Sequence, residues 1–224
     1  MRYSDLKANA GLGIQYDVIA LVGLAGFSAR YIPWTESALR PSAIKIVLND
    51  ICLNNRVNAI EFGAGVSTLF VAETFARNGG LLVSVDHDLN WIRKVESWLP
   101  RDAVSHVRFV HAPLRSCTYL NEQVMWYATE ALSEIVLQHS PFDLVVVDGP
   151  PAYMQQRCLN RGPALSFLEP HIRRDATIVL DDINRVGEKM IAQDWSTLIG
   201  REATILEVEA GIALWRIEGT KHTI

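Results

Sequence analysis

The sequence predicts a doubly wound α/β sandwich, a mostly parallel sheet with helices on both faces, closed by one antiparallel hairpin. Three observations predict it. From residue 35 onward, short β-rich runs alternate with helical segments, the pattern of βαβ units. Several of those runs end in an acidic residue followed by turn-forming residues, as in "AIEFGAG", "VSVDHD", "VVVDGPP" and "IVLDDIN". Finally, only Ala210 and Gly211 separate "TILEVE" from "IALWRI", whereas a parallel crossover needs about a dozen residues or more.

Taken in order, residues 1–34 fit no βαβ unit and are expected to form an N-terminal helical cap, leaving 35–224 as the main domain. Thr35 to Leu53 reads as a helix, "VNAIEF" (57–62) as a strand, and 66–77 as the helix behind it. "LLVSVD" (81–86), a helix from Leu89 to Leu99, and "HVRFVH" (106–111) follow. The spacing then predicts a long helix over 121–139, the strand "FDLVVVD" (142–148), and a helix near 154–168. "ATIVLDD" (176–182), a helix near 185–199, and the pair "ATILEVE" and "IALWRI" complete the chain, with the last strand antiparallel to its neighbours.

Composition narrows the function classes. With a net charge of −4 and no basic stripe, the chain lacks the footprint of a nucleic-acid binder, so a small-molecule partner is expected. Cys52, Cys117 and Cys158 are odd in number and have no CxxC spacing, which argues against a zinc ribbon or a disulfide framework and fits a cytoplasmic protein. "VIALVGLAGF" (18–27) is too short to span a bilayer. It reads as a core or interface helix, compatible with a homodimer.

The stretch "EFGAGVST" raises the first chemical question. Gly63 and Gly65 let the backbone approach a ligand closely, and Ser67 and Thr68 open the next helix with hydroxyls. As a dinucleotide fingerprint the run fails, because Thr68 stands where the third glycine belongs. Glu61 would repel a diphosphate but suits a cationic ligand, and Asp86 ends the next strand where a carboxylate accepts ribose hydroxyls. Together they point to S-adenosylmethionine. Here the chain resembles the class I S-adenosylmethionine-dependent methyltransferases, "EFGAGVST" being similar to their first motif and "VSVDHD" to their acidic second strand.

That resemblance implies a Rossmann-like, seven-stranded sheet with one antiparallel strand in a C-terminal hairpin. It also implies that Gly63 and Gly65 line the methionine moiety, Ser67 and Thr68 its carboxylate end, and Asp86 the ribose, with His111, Ala112 and Pro113 bordering the adenine. A non-catalytic S-adenosylmethionine-binding module is the alternative from another class. A nicotinamide-dependent oxidoreductase is disfavoured by Thr68 and by the lack of a Tyr-x-x-x-Lys pair.

Asp148, Asp181 and Asp182 form a second constellation at two strand ends. Three carboxylates brought together are costly unless a cation neutralises them or some stay protonated, and an oxygen-only set suits Mg²⁺. Equally, Asp181 or Asp182 caps the following helix and Asp148 braces the Gly-Pro-Pro turn. The pattern is similar to the metal-dependent O-methyltransferases of the catechol, caffeoyl-coenzyme A and macrolide-sugar groups, which implies O-methylation of a small hydroxylated acceptor. Asp148 and Asp182 are then the catalytic pair, and Asp148, Asp181 and Asp182 the metal ligands. One departure stands out: Pro151 occupies the position of the catechol branch's lysine base.

Among other candidates, His171 precedes its strand and belongs at the far edge of the sheet. Tyr153, Arg157, Arg161, Asn184 and Arg185 are placed to orient a polar acceptor, though each arginine also reads as a solvated helix-face residue. Trp126 and Tyr127 are expected on a helix, either as core or as a wall of the acceptor pocket.

Overall fold

The parallel centre of the sheet follows from strands that are apolar on both faces. In the computed structural model, which describes residues 3–27, 31–206 and 210–216, the central strand β6 (Phe142–Val147) is buried at every position. Around it lie β1 (Asn58–Phe62), β2 (Leu81–Asp86), β3 (Val107–His111), β7 (Ile172–Asp181), β8 (Thr204–Leu206) and β9 (Ile212–Arg216). Their order is β3-β2-β1-β6-β7-β9-β8, a seven-stranded sheet. All lateral pairings are parallel except β7–β9 and β8–β9, so β9 alone runs against the rest. The predicted fold class therefore holds.

The chain moves outward through β1, β2 and β3, then returns to the other side of β1 with β6. That reversal opens a crevice at the carboxyl ends of β1 and β6, the place where such sheets receive ligands. One face of the sheet is covered by α2 (Pro41–Asn54), α3 (Val66–Asn78) and α4 (Leu89–Trp98), with Ile44, Phe70, Phe75 and Val95 in its core. The other is covered by α5 (Thr129–His139), α6 (Pro163–Leu168) and α7 (Val186–Ile199), around Leu132, Leu168, Trp195 and Trp215. The N-terminal helix α1 (Tyr3–Leu24) packs on α2 and is pinned there by Asp17, which accepts hydrogen bonds from Ser42 N and Oγ at 3.0 and 2.6 Å. Among the described residues no helix is long and apolar enough to cross a membrane.

Four elements depart from expectation. The helix predicted from Thr35 starts at Pro41, because a residue before proline is pushed out of the helical region and Arg40 is extended, with φ −63° and ψ 148°. The first part of the helix predicted over 121–139 is instead a hairpin. It pairs β4 (Leu114–Tyr119) with β5 (Glu122–Tyr127), turning on Leu120 and Asn121 with φ of 49° and 65°. Two successive left-handed residues make the tight turn whose twist matches antiparallel strands. Trp126 and Tyr127 therefore lie on a strand rather than a helix. The helix expected near 154–168 shrinks to α6, which begins at Pro163, and β7 starts four residues early at Ile172. In the C-terminal hairpin, residues 207–209 and 217 lie outside the described residues.

Candidate active site

A cleft of about 580 Å³ lies over the carboxyl ends of the strands, bounded by Gly63–Ser67, Asp86–Asp88, Trp91, Tyr127, Asp148, Gly149, Arg161, Asp181, Asp182 and Arg185. Its floor is the turn after β1. Gly63 has φ +100°, and a Cβ there would lie 3.0 Å from Gly149 N, so both conformation and space demand glycine. Gly63 N–H donates to Val85 O at 2.8 Å, and Ala64 N–H to Asp86 Oδ2 at 3.0 Å, tying the turn to β2.

Beneath this turn lies Glu61, 1% exposed. Its carboxylate accepts hydrogen bonds from Ser84 Oγ at 2.7 Å, from Ser67 Oγ at 3.1 Å and from Thr68 Oγ1, whose oxygen in turn accepts Gly65 N–H at 2.9 Å. Glu61, expected to face a cationic ligand, is instead enclosed by hydroxyls and does not line the cleft. Thr68, likewise fully buried, serves the turn rather than its surface. Gly63, Gly65, Ser67 and Asp86 do line the cleft, whereas Ala112 is fully buried and donates its N–H to Asp86 O at 2.9 Å.

Burial pushes the Glu61 carboxyl up from 4.5 to about 7, against the lowering effect of its three hydroxyl donors. A carboxyl raised in the folded state contributes stability that is complete below its unfolded pKa and is lost as pH rises through the folded one. Glu61→Gln is therefore expected to flatten the pH dependence of stability between pH 4.5 and about 7 by about 3 kcal/mol, read by urea denaturation. An unchanged pH profile would show that the carboxyl ionises normally.

Asp86, 6% exposed, also accepts Asp88 N–H at 2.9 Å and lies 3.2 Å from His87 Nδ1. The Asp86 carboxylate beside it raises the His87 pKa. His111 is exposed, its Nε2 3.1 Å from His87 O.

Also lining the cleft, Asp148 follows β6, Asp181 ends β7 and Asp182 comes directly after it. One oxygen from each lies within 4.8 Å of the others. Asp182 is held at φ +61°, a left-handed conformation that aspartate adopts more readily than most residues. The unexpected member is Arg161. Read as a possible solvated helix-face residue, it is 3% exposed and fills the space behind the acids. Its guanidinium donates to Asp148 O at 2.7 Å and Oδ1 at 3.2 Å, lies 3.0 Å from Asp182 Oδ2, and also reaches Asp181 O at 3.3 Å and Pro150 O at 3.4 Å.

Behind it Glu188, fully buried, stands 3.7 Å from Arg161 and 3.8 Å from Arg185 with neither oxygen hydrogen-bonded. Burial raises its pKa to about 7. Burial, and then the charge of Asp181, raises Asp148; burial, and then Asp182, raises Asp181 to about 6. Two guanidiniums thus leave four neighbouring carboxyls short of cationic partners. Asp181 Oδ1 is buried without a hydrogen-bond partner, so the three aspartates suit a hard divalent cation.

A profile of the methyltransferase domain family matches residues 60–183, more than half of the chain. The chain belongs to the methyltransferase domain family. It is an S-adenosylmethionine-dependent methyltransferase. None of the curated protein sequences matches this methyltransferase.

Solved structures of similar architecture include cofactor-bound Rv0187 from MTB, at 18% identity and TM-score 0.59 over 94% of this chain and 89% of that one. Another is a Staphylococcus aureus protein provisionally described as a caffeoyl-CoA O-methyltransferase, at 13% identity and TM-score 0.55 over 84% and 86%. A third is precorrin-6y C5,15-methyltransferase from Geobacter metallireducens, at 12% and 0.55 over 82% and 91%. Likeness at such identity concerns the fold.

In this methyltransferase His171 sits in the short turn entering β7, at the edge of the sheet away from the cleft, as expected. Tyr153 and Arg185 reach the cleft rim, being 66% exposed and partly exposed respectively, whereas Arg157 does not line it. Sequence reasoning missed Glu188, and although it named Arg161 and Tyr127 as acceptor-side candidates it did not foresee the burial of the Arg161 cation among acids or of the Tyr127 hydroxyl at the end of β5. For Arg161 the signal available was its setting in "NRGPALSFL", a polar pair directly before an apolar helix rather than on an amphipathic one.

Proposed function

We propose that this methyltransferase transfers a methyl group to the hydroxyl oxygen of a small molecule, with Mg²⁺ assisting. The observation that carries this reading is the convergence of Asp148, Asp181 and Asp182 within 4.8 Å in the same cleft that the glycine turn lines, with Gly63 packed against the backbone of Asp148 and Gly149. In this reading Gly63, Gly65 and Ser67 hold the methionyl part of S-adenosylmethionine and Asp86 its ribose. Glu61 and Thr68 act from below by fixing the turn.

S-adenosylmethionine supplies the electrophilic methyl group, and Mg²⁺, held by Asp148, Asp181 and Asp182, supplies Lewis-acid lowering of a hydroxyl pKa. The chain's own residues bind and align: transfer needs the acceptor oxygen in line with the methyl, so placement matters more than covalent chemistry. Asp148, which lines the cleft beside the glycine turn, takes the acceptor proton. Arg161 keeps Asp148 and Asp182 in place, and Arg185 and Tyr153 present polar groups to the acceptor. The acids around the cleft disfavour a phosphodiester, which supports a small neutral or cationic acceptor rather than nucleic acid.

Methyl transfer to a panel of catechols and sugar hydroxyls, measured with Mg²⁺ and with EDTA, tests the proposal. Activity is expected to fall by at least tenfold in EDTA and to return with Mg²⁺, since the cation supplies the lowered pKa. Turnover undiminished by EDTA would remove the metal and leave Asp148 as an unaided base.

A further inference from the structure

Tyr127 ends β5 and is 2% exposed, yet it belongs to the wall of the cleft. Its ring is fixed from two sides, stacked on Phe62 at 5.6 Å between centroids and edge-on to Trp126 at 4.9 Å. The phenolic oxygen is buried with no hydrogen-bond partner. A buried hydroxyl left unpaired costs stability, and phenylalanine would pack against the same rings without that cost. The backbone is also shaped around this oxygen: a Cβ on Gly149 would stand 2.5 Å from it and 2.9 Å from Gly63 Cα. The hydroxyl therefore sits where the ends of β1 and β6 meet, the reversal point of the sheet. Asp86 and Asp148, which both line the cleft, act on it electrostatically, and burial above all keeps the phenol neutral. It is a source of lone pairs and a donor, not a base.

We propose that Tyr127 Oη is a cofactor-contact residue whose oxygen faces the sulfonium of S-adenosylmethionine, so that the site distinguishes the charged cofactor from its neutral product. The proposal rests on the placement of the cofactor given above, ribose at Asp86 and reacting end toward Asp148. An oxygen lone pair attracts the sulfonium charge, and S-adenosylhomocysteine, with a neutral thioether, lacks that attraction.

Calorimetric titration of S-adenosylmethionine and S-adenosylhomocysteine into wild type and Tyr127→Phe tests it. The variant is expected to bind S-adenosylmethionine about five- to tenfold more weakly, and S-adenosylhomocysteine with less than about a twofold change. Its melting temperature without ligand should be unchanged or higher, because the unpaired hydroxyl is gone. Equal weakening of both ligands, or of neither, would overturn the proposal. Wild-type protein that binds neither ligand would overturn the cofactor placement and this proposal with it.

Discussion

Replacing Arg161 with methionine is expected to lower the stability of the folded methyltransferase by about 3 to 5 kcal/mol at pH 7.5, the scale for stripping a buried ion cluster of one partner. The guanidinium is 3% exposed and within 3.7 Å of oxygens from Asp148, Asp182 and Glu188. Methionine fills a similar volume but leaves those acids facing one another in a poorly solvated space. The loss should shrink as pH falls. Asp181 and Glu188 are raised to about 6 and about 7, and Asp148 is raised further from its ordinary range, so lowering pH neutralises the groups that Arg161 compensates. Urea denaturation at pH 7.5 and pH 5.5 measures both effects. A loss below about 1 kcal/mol at pH 7.5 would mean that the acids are already protonated without the arginine.

Asp148→Asn is expected to reduce methyl transfer by about 100-fold or more, the scale of losing a positioned proton acceptor, while leaving S-adenosylhomocysteine affinity nearly unchanged. Asp148 combines the features that matter: it lines the cleft, follows the strand beside the glycine turn, and converges with Asp181 and Asp182. Asparagine keeps its shape and can still accept Arg161, but it takes no proton and brings no charge. Asp182→Asn should cost much less, because an amide oxygen still coordinates a cation and still accepts from Arg185, now 2.6 Å away. Similar losses at the two positions, or a Kd for S-adenosylhomocysteine that rises in parallel with the activity loss, would place Asp148 in cofactor binding rather than in proton transfer.

The strands and their polarity were legible because a buried parallel strand needs little context: "FDLVVVD" and "ATIVLDD" are apolar wherever they are read. The β4–β5 hairpin was not. Its strands are half-exposed, and "NEQVMWYATEALSEI" has enough helix-forming residues to extend α5 backward on paper. What decides it is the left-handed pair Leu120 and Asn121 together with Asn160, whose side chain accepts Met125 N–H at 2.9 Å from 35 residues away. The same limit applies at the site. Gly63, Gly65 and Asp86 announce themselves by position behind a strand, but the direction of the Glu61 side chain depends on Ser84, in the neighbouring strand. Arg161 is a core residue only because its cationic tip meets acids from β6, β7 and α7, which no local pattern records.

The tether from Gly65 through Thr68 to Glu61, and on to Ser84, bears on how fast a ligand is taken up. A turn left loose until the ligand arrives would spend part of each encounter ordering itself, which slows association and weakens affinity. Here three elements, β1, α3 and β2, fix it from below before any ligand comes. In the proposed cofactor placement the backbone amides of the turn are thus set in advance, and encounter geometry rather than loop closure is expected to govern the rate of capture.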